Sequence, residues 1–385
     1  MHDSDCEAAG ASLRATADAL RLLVIDAADA ARVSLPAMAV HMAGVATVLW
    51  RHHLRHNPAD PQWGNRDRFV LASEHAKVML DALQHLSGYD VTLDEVRGLR
   101  RRAGPPPDHP PVAQMPDIAT TTGPVSRGLM DAVGIALAER MAAGRFNRSD
   151  LDVVDHRTYA MVDGACLRED ASRDAGTLAA DCRLAKLTVL SDDTGIPLDG
   201  ATARWYRDDT VARFRAYGWH VVGPVDSNAP GAIDRAIRLS HASRDRPTLI
   251  ICRTRPLHPA SGPRAMREAL GWPHGPLEIP VRIRARWDTR GSGALAQAEW
   301  QALFDVWSAR HPDDALALSR WMRGEHPGDA IAAGQPMDEA SPLRVDPAPH
   351  WRTHGPIREV APARRPAHRS AGGPASNIVA LPGIA

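Results

Sequence analysis

The stretch from Tyr159 to Ile196, YAMVDGACLREDASRDAGTLAADCRLAKLTVLSDDTGI, narrows the possible folds more than any other part of the chain. Thr158–Val162 reads as a strand, Asp163–Ala165 as a glycine-bearing turn, about Leu167–Leu184 as a helix and Leu187–Leu190 as a second strand. A strand–turn–helix–strand run of this length is a βαβ unit, and its strands are parallel because the helix carries the chain back to its starting edge. The glycine turn and the acidic turn Asp192-Asp193-Thr194-Gly195 then share the carboxyl edge of the sheet. Open α/β sheets bind ligands at that edge, where a helix N-terminus favours a diphosphate.

The alternation continues downstream with a helix over Asp209–Tyr217, a strand over Trp219–Val225, a helix over Ala229–Ser243 and a strand over Thr248–Arg253. Repeated β-α order predicts an α/β fold, a doubly wound parallel sheet flanked by helices. Upstream, Leu20, Leu23, Val24, Ala27, Ala28 and Ala31 recur at helical spacing, so a helix is expected from Leu13 to about Ala31. A second helix is expected over Val40–His56, a short strand over Phe69–Leu71, and helices over Glu74–Leu86 and Leu93–Arg101. Ser34-Leu35-Pro36, Asn57-Pro58 and Gly88 supply the breaks. Gly104–Pro116 is proline-rich and must run as an extended loop. Thr120-Thr121-Thr122-Gly123-Pro124 then feeds a helix over Ser126–Ala143, a weak anion cradle on its own. Helices over Ala294–Arg310 and Asp313–Arg323 close the periodic part. The organisation expected is a flexible N-terminus over residues 1–10, one domain over 11–325 and a Pro/Arg/Ala-rich disordered C-terminal tail over 326–385.

Composition removes some function classes. With 46 basic and 46 acidic residues, electrostatics give no case for nucleic acid or an anionic membrane as partner. No apolar run has membrane-spanning length, and MHDSDCEAAG lacks the basic-then-apolar layout of a signal peptide. The four cysteines lack CxxC spacing and read as reduced thiols, so the expected location is cytoplasmic.

Several separated segments, MAGVATVLWRHHLRHNPADPQWGNRDRFVL, HLSGYD, TTTGPVSRG, DAVGIALAER, FNRSDLDVVDHRTYA, WYRDDTVARFRAYGWHVV and LGWPHGPLEIP, occur in an order that resembles the N-terminal, diphosphate-binding half of transketolase. The resemblance implies a thiamine-diphosphate-binding fold of the PP type. It also implies thiamine diphosphate with Mg²⁺ as cofactors and transfer of two-carbon ketol units between sugar phosphates. In that family the cofactor sits between this half of one subunit and the pyrimidine-binding half of the other, in a dimer. By the same resemblance His75 and His109 fall on cofactor-site histidines, and Glu169 on a glutamate that communicates across the dimer. Gly123, Pro124, Val125, Ala165 and Ile196 fall on cofactor-contacting positions. Each has a plainer reading: a helix-start histidine, a solvated loop histidine, a first-turn glutamate, a glycine turn, a core isoleucine.

The departures cluster on the chemistry. A small hard cation needs a carboxylate, an amide oxygen, backbone carbonyls and phosphate oxygens at near-octahedral positions. The family's Gly-Asp-Gly is Asp163-Gly164-Ala165 here, and its asparagine is Thr194. Asp163 and Thr194 are the metal-ligand candidates left, and Asp163 would have to slip by one residue, which points its side chain the other way unless the turn is rebuilt. A catalytic-site histidine becomes Leu35, and the histidine-bearing loop after Cys252-Arg253-Thr254 contracts to RPLHPASGPR, with His258 in the remnant. No pyrimidine-binding half is recognisable. The expectation is a transketolase-like domain that is catalytically degenerate alone, with itself or a C-terminal-half subunit as partner. The alternatives are an active subunit of a split transketolase, or an enzyme that reuses the edge for another phosphorylated ligand.

Overall fold

Residues that alternate along five short strands decide the architecture. The computed structural model describes residues 3–32, 37–72, 77–97, 127–194, 209–254 and 262–323, all in the first of two compact units, Met1–Gln335 and Pro336–Ala385. The strands are β1 (Arg68–Ala72), β2 (Thr158–Asp163), β3 (Leu187–Asp193), β4 (His220–Asp226) and β5 (Thr248–Arg253). They pair in parallel in the order β1-β2-β3-β5-β4. Phe69, Tyr159, Met161, Leu190, Ile250 and Cys252 point into one core, while Val70, Ala160, Val162, Val189, Leu249 and Ile251 point into the other. A strand buried on both faces needs apolar residues throughout, which is why these strands read as near-continuous apolar runs.

The helices are α1 (Asp3–Ala31), α2 (Ala37–His41), α3 (Ala43–His52), α4 (Lys77–Ser87), α5 (Leu93–Arg97), α6 (Arg127–Phe146), α7 (Asp170–Asp181), α8 (Thr210–Ala216), α9 (Pro230–Ala242), α10 (Gly262–Leu270), α11 (Val281–Trp287), α12 (Arg290–Arg310) and α13 (Pro312–Met322). Leu20, Leu23, Leu49, Leu83 and Ile237 place α1, α3, α4 and α9 on the Tyr159 face. Leu129, Ala175 and Phe214 place α6, α7 and α8 on the Val162 face. The sheet is doubly wound.

Several ends differ from expectation. The first helix begins at Asp3, where residues 1–10 were expected to be loose. The helix expected over Val40–His56 is two, with the chain turning at Met42 (φ −89°, ψ 3°) and α3 stopping at His52. Beyond it the backbone of His56 and Asn57 packs against Gly293, where an added Cβ would stand 2.4 Å from the His56 carbonyl oxygen. That tertiary contact overrides the local helical pattern. In the βαβ unit a single 3₁₀ turn, Cys166–Arg168, precedes α7, and Glu169 between them is extended (φ −62°, ψ 146°). Gly88, at φ +99°, ends α4 in a conformation that side chains disfavour.

The amino edge of the sheet is fastened by side chains. Buried Asp67 accepts the Arg55 and Arg157 N–H groups at 2.9 and 2.8 Å, tying the start of β1 to that of β2. Asn65 Oδ1 accepts the Asp155 N–H at 2.9 Å. Asn147 bonds both backbone polar groups of Val154, at 2.9 and 2.8 Å.

His56 Nδ1 lies 2.7 Å from the Tyr89 hydroxyl, with its ring stacked on Tyr89 and edge-on to Trp50. Burial, with Arg51 adding to it, lowers its pKa from 6.5 to about 4. The unfolded chain therefore binds a proton that the folded one excludes between those values, so stability falls as pH drops from 6.5 toward 4. The full window is worth about 3 kcal/mol for this one group. Urea midpoints measured from pH 7 to pH 4 are expected to fall, and His56→Gln is expected to make that part of the profile less steep, with His241 and His156, also lowered by burial, supplying the remaining slope.

Candidate functional site at the carboxyl edge

Parallel register brings the strand ends together. Asp163 pairs with Asp192, Asp192 with Cys252, and Asp193 with Arg253. After β3 the chain goes to α8 on the Val162 face. After β5 it goes to α10, whose Met266 packs with Leu22, Ile25 and Val40 on the opposite side. The crevice between β3 and β5 is therefore the topological switch point, the favoured place for a ligand in such a sheet.

The side chains at this crevice bind one another. Asp163 Oδ1 accepts the Cys166 N–H at 2.7 Å, so its carboxylate folds back to cap the 3₁₀ turn. Asp192 is 6% exposed. Its Oδ1 accepts the Thr254 hydroxyl, and its Oδ2 lies 3.5 Å from Nδ1 of buried His41 at the end of α2. Asp193 accepts Arg253 Nε–H at 3.0 Å, and its carbonyl takes the Thr254 N–H at 3.0 Å. Burial raises the Asp163 carboxyl above its ordinary range; the Asp192 charge adds to this, while the Cys166 and Ala165 N–H groups and Arg168 oppose it. Burial also pushes the Cys166 thiol up to about 12 and raises Cys252, next to Asp192 and Asp193. Neither thiol is a nucleophile at neutral pH.

Gly164 follows Asp163 in the turn after β2, at the position where the sequence resemblance implies a carboxylate. A Cβ there would sit 3.2 Å from the Asp192 carbonyl oxygen and 3.8 Å from an Arg168 guanidinium nitrogen, so a side chain at 164 would start against the end of β3. Of the other candidates, Ala165 is exposed and its carbonyl accepts the Arg168 N–H at 2.9 Å. Glu169 is exposed at the N-cap of α7 with no side-chain capping bond, its carbonyl accepting from Ser172 and Arg173. Thr194 is half-buried, immediately after β3. His75, His109, Gly123, Pro124, Val125, Ile196, Leu35 and His258 lie outside the described residues.

The sequence placed Asp192 and Asp193 in a turn, whereas both are strand residues because Cys252 and Arg253 continue the pairing. His41 and Thr254 were not singled out; the one available signal for His41 was a histidine set in an apolar helical run. A divalent cation with a diphosphate asks for free carboxylate and amide oxygens. At this edge position 164 has no side chain, Asp163 caps its own turn and Asp192 is held by Thr254 beside His41. Among the described residues no three His, Cys, Asp or Glu side chains converge on a common point suited to a metal. The described residues of this edge do not supply the carboxylate and amide oxygens that such a metal needs.

Residues 12–327 match the family model described as transketolase, thiamine diphosphate binding domain. The chain is 44% identical over 345 residues to the chromosomal transketolase of Cupriavidus necator, covering 85% of this chain and 52% of that protein. It is 37% identical over 353 residues to transketolase 1 of Escherichia coli, covering 88% and 53%. Among solved structures, transketolase from Leishmania mexicana superposes with a TM-score of 0.76 at 28% identity, covering 85% of this chain and 51% of that one. Pichia stipitis transketolase in complex with sedoheptulose 7-phosphate superposes with a TM-score of 0.75 at 30% identity, covering 82% and 49%. The chain thus spans about half the length of the relatives it matches.

Thr254→Val keeps the shape of the residue and removes the donor to buried Asp192. An acceptor left unpaired there costs on the order of 2 kcal/mol, read as a lower urea midpoint with an unchanged slope. In an Asp192→Asn background the same substitution is expected to cost about half as much or less, since the charge that demanded the hydroxyl is gone.

Proposed function

This chain belongs to the transketolase family through its thiamine-diphosphate-binding domain, and we propose that it keeps the scaffold of that domain without carrying out ketol transfer alone. One observation carries the reading. At the switch point the position for the metal's carboxylate is Gly164, and the neighbouring Asp163 spends an oxygen on the Cys166 N–H. The described edge thus offers a diphosphate no cation site and presents it with Asp163, Asp192 and Asp193 instead. No chemical step is assigned to a group that these residues do not hold.

On this reading the domain is a cytoplasmic binding module that associates with itself or with a chain carrying a pyrimidine-binding half. Among the described residues no helix is long and apolar enough to cross a membrane. Balanced charge gives nucleic acid no electrostatic foothold.

Isothermal titration of the full chain with thiamine diphosphate and Mg²⁺ tests this directly. The expected result is no metal-dependent binding at cofactor concentrations up to about 1 mM, a level at which only affinities below roughly 4 kcal/mol escape detection. The variant Asp163→Gly, Gly164→Asp, Ala165→Gly, Thr194→Asn restores the family triplet and its asparagine and is expected to gain Mg²⁺-dependent binding. Micromolar, metal-dependent binding by the unmodified chain would sink the proposal. So would ketol transfer on adding a pyrimidine-binding half, since that activity would require this edge to hold the cofactor.

A further inference from the structure

A cleft of about 370 Å³ opens at the carboxyl end of β4, two strands away from β3, between α1, α3 and the turn Asp226–Asn228. Neither the cofactor edge nor the proposed function makes use of it. Its floor is fixed by a close backbone approach. An added Cβ on Gly44 in α3 would stand 2.3 Å from the Ser227 carbonyl oxygen, so only glycine lets the turn lie on the helix. The Ser227 N–H in turn bonds the Arg253 carbonyl at 3.0 Å, continuing the sheet. The cleft is therefore built from regular elements and held in place before any ligand arrives.

Arg21 lines the cleft and is only 4% exposed. Its Nε–H donates to the Val40 carbonyl at 3.0 Å, one terminal nitrogen donates to Asp18, and the other donates to Asn228 Oδ1 at 3.2 Å. A guanidinium carries five N–H donors. One N–H on each terminal nitrogen is left with no protein acceptor among the described residues. Buried donors need acceptors, and guanidinium N–H groups are well suited to carboxylate oxygens.

The remaining lining decides the class of anion. Arg14 lies along α1 from Arg21 with Asp18 between them, so the helix presents two cations and one anion to the cleft. Asp226 adds a second anion, and its Oδ1 accepts the Asn228 N–H at 2.9 Å. Two arginines against two aspartates leave the lining without net charge, so Asp18 and Asp226 repel a dianion such as phosphate more strongly than a monoanion, and a monoanion here is held by hydrogen bonds rather than by excess charge. Leu13, Val48 and Leu270 supply an apolar wall that a bare inorganic ion cannot use. The volume lies at the low end of small-molecule sites. We propose that this cleft binds a small organic monocarboxylate, its carboxylate on Arg21 and Arg14 and its apolar body against Leu13, Val48 and Leu270.

The test uses the full chain, with benzoate as probe and inorganic phosphate as comparison, read by ligand-observed NMR and isothermal titration. Benzoate is expected to saturate with a dissociation constant of about 1 mM or tighter, and phosphate is not expected to displace it. Arg14→Glu, an exposed substitution, is expected to weaken binding at least about fivefold by reversing the charge at the mouth. Leu13→Trp fills the half-buried entrance and is expected to abolish binding while the circular dichroism stays unchanged. Arg21→Lys is the sharper variant if it folds, since an ammonium cannot reproduce the fork. The proposal is overturned by absence of saturation at about 20 mM, by displacement with phosphate, or by unchanged affinity in both Arg14→Glu and Leu13→Trp. Because the readout involves no thiamine diphosphate, these outcomes are independent of whether the cofactor edge is functional.

Discussion

Parallel pairing carries Asp163, Asp192 and Asp193 to one edge of one sheet, and carboxylates so placed must be compensated or lose their charge. Here the protein compensates them itself. Backbone N–H groups take Asp163, a hydroxyl takes Asp192 with an imidazole beside it, and a guanidinium takes Asp193. The partners come from three different places: the turn after β2, the end of α2, and the last residue of β5 with the one that follows. Arg253 and Thr254 are in reach because β5 pairs with β3, and His41 because the chain breaks at Met42 and ends α2 beside the strand. The order of the strands, the break between two helices and the charge at the edge are one linked requirement.

The interior of the fold was legible because burial on both faces writes a simple pattern. β1, β2 and β5 stand within a residue of where their apolar runs put them, and all five strands were foreseen. What the pattern could not supply was set by distant partners. β3 runs on through Asp192 and Asp193, polar residues that no strand propensity favours, because Cys252 and Arg253 pair with them. The segment VRIRARW alternates apolar and basic residues as a half-buried strand would, yet it is α11, with Ile283 and Trp287 buried four residues apart. Trp287 Nε1–H reaches the Thr16 carbonyl at 3.1 Å on α1, a contact 271 residues away in sequence. At the candidate site, the glycine at 164 was readable from the sequence. The capping role of Asp163 and the approach of His41 were not, since both depend on how the turn and α2 fold against the edge.

The motifs that carry the family resemblance hold the amino edge. NRDRFVL contains Asn65 and Asp67, whose oxygens fasten the approaches to β1 and β2. FNRSDLDVVDHRTYA contains Asn147, which clamps Val154, and Arg157, whose N–H bonds Asp67. DAVGIALAER contains Glu139, buried and paired at 2.7 Å with Lys186, one of only two lysines in the chain. Burial raises the Asp67 and Glu139 carboxyls, and each is drawn back by its cation and hydrogen-bond donors. Removing one partner from such a group leaves a buried charge uncompensated, which is strongly destabilising. These segments are bound to their residue types by folding, whatever happens at the other edge.

That division explains how a chain can match the transketolase thiamine-diphosphate-binding domain over most of its length while position 164 is a glycine. A β-strand of five to seven residues separates the two edges. The hydrogen bonds that set register at the amino edge neither touch nor depend on position 164. Set against Gly-Asp-Gly, the triplet Asp163-Gly164-Ala165 leaves the number of carboxylates at this edge unchanged and moves one from position 164 to position 163, where backbone N–H groups meet it. The glycine does not loosen the turn, because the Asp163 cap on Cys166 holds it from within. The groups that meet the other two carboxylates, Thr254, His41 and Arg253, are likewise part of the chain. The charges of this edge are thus met by groups that the chain itself supplies.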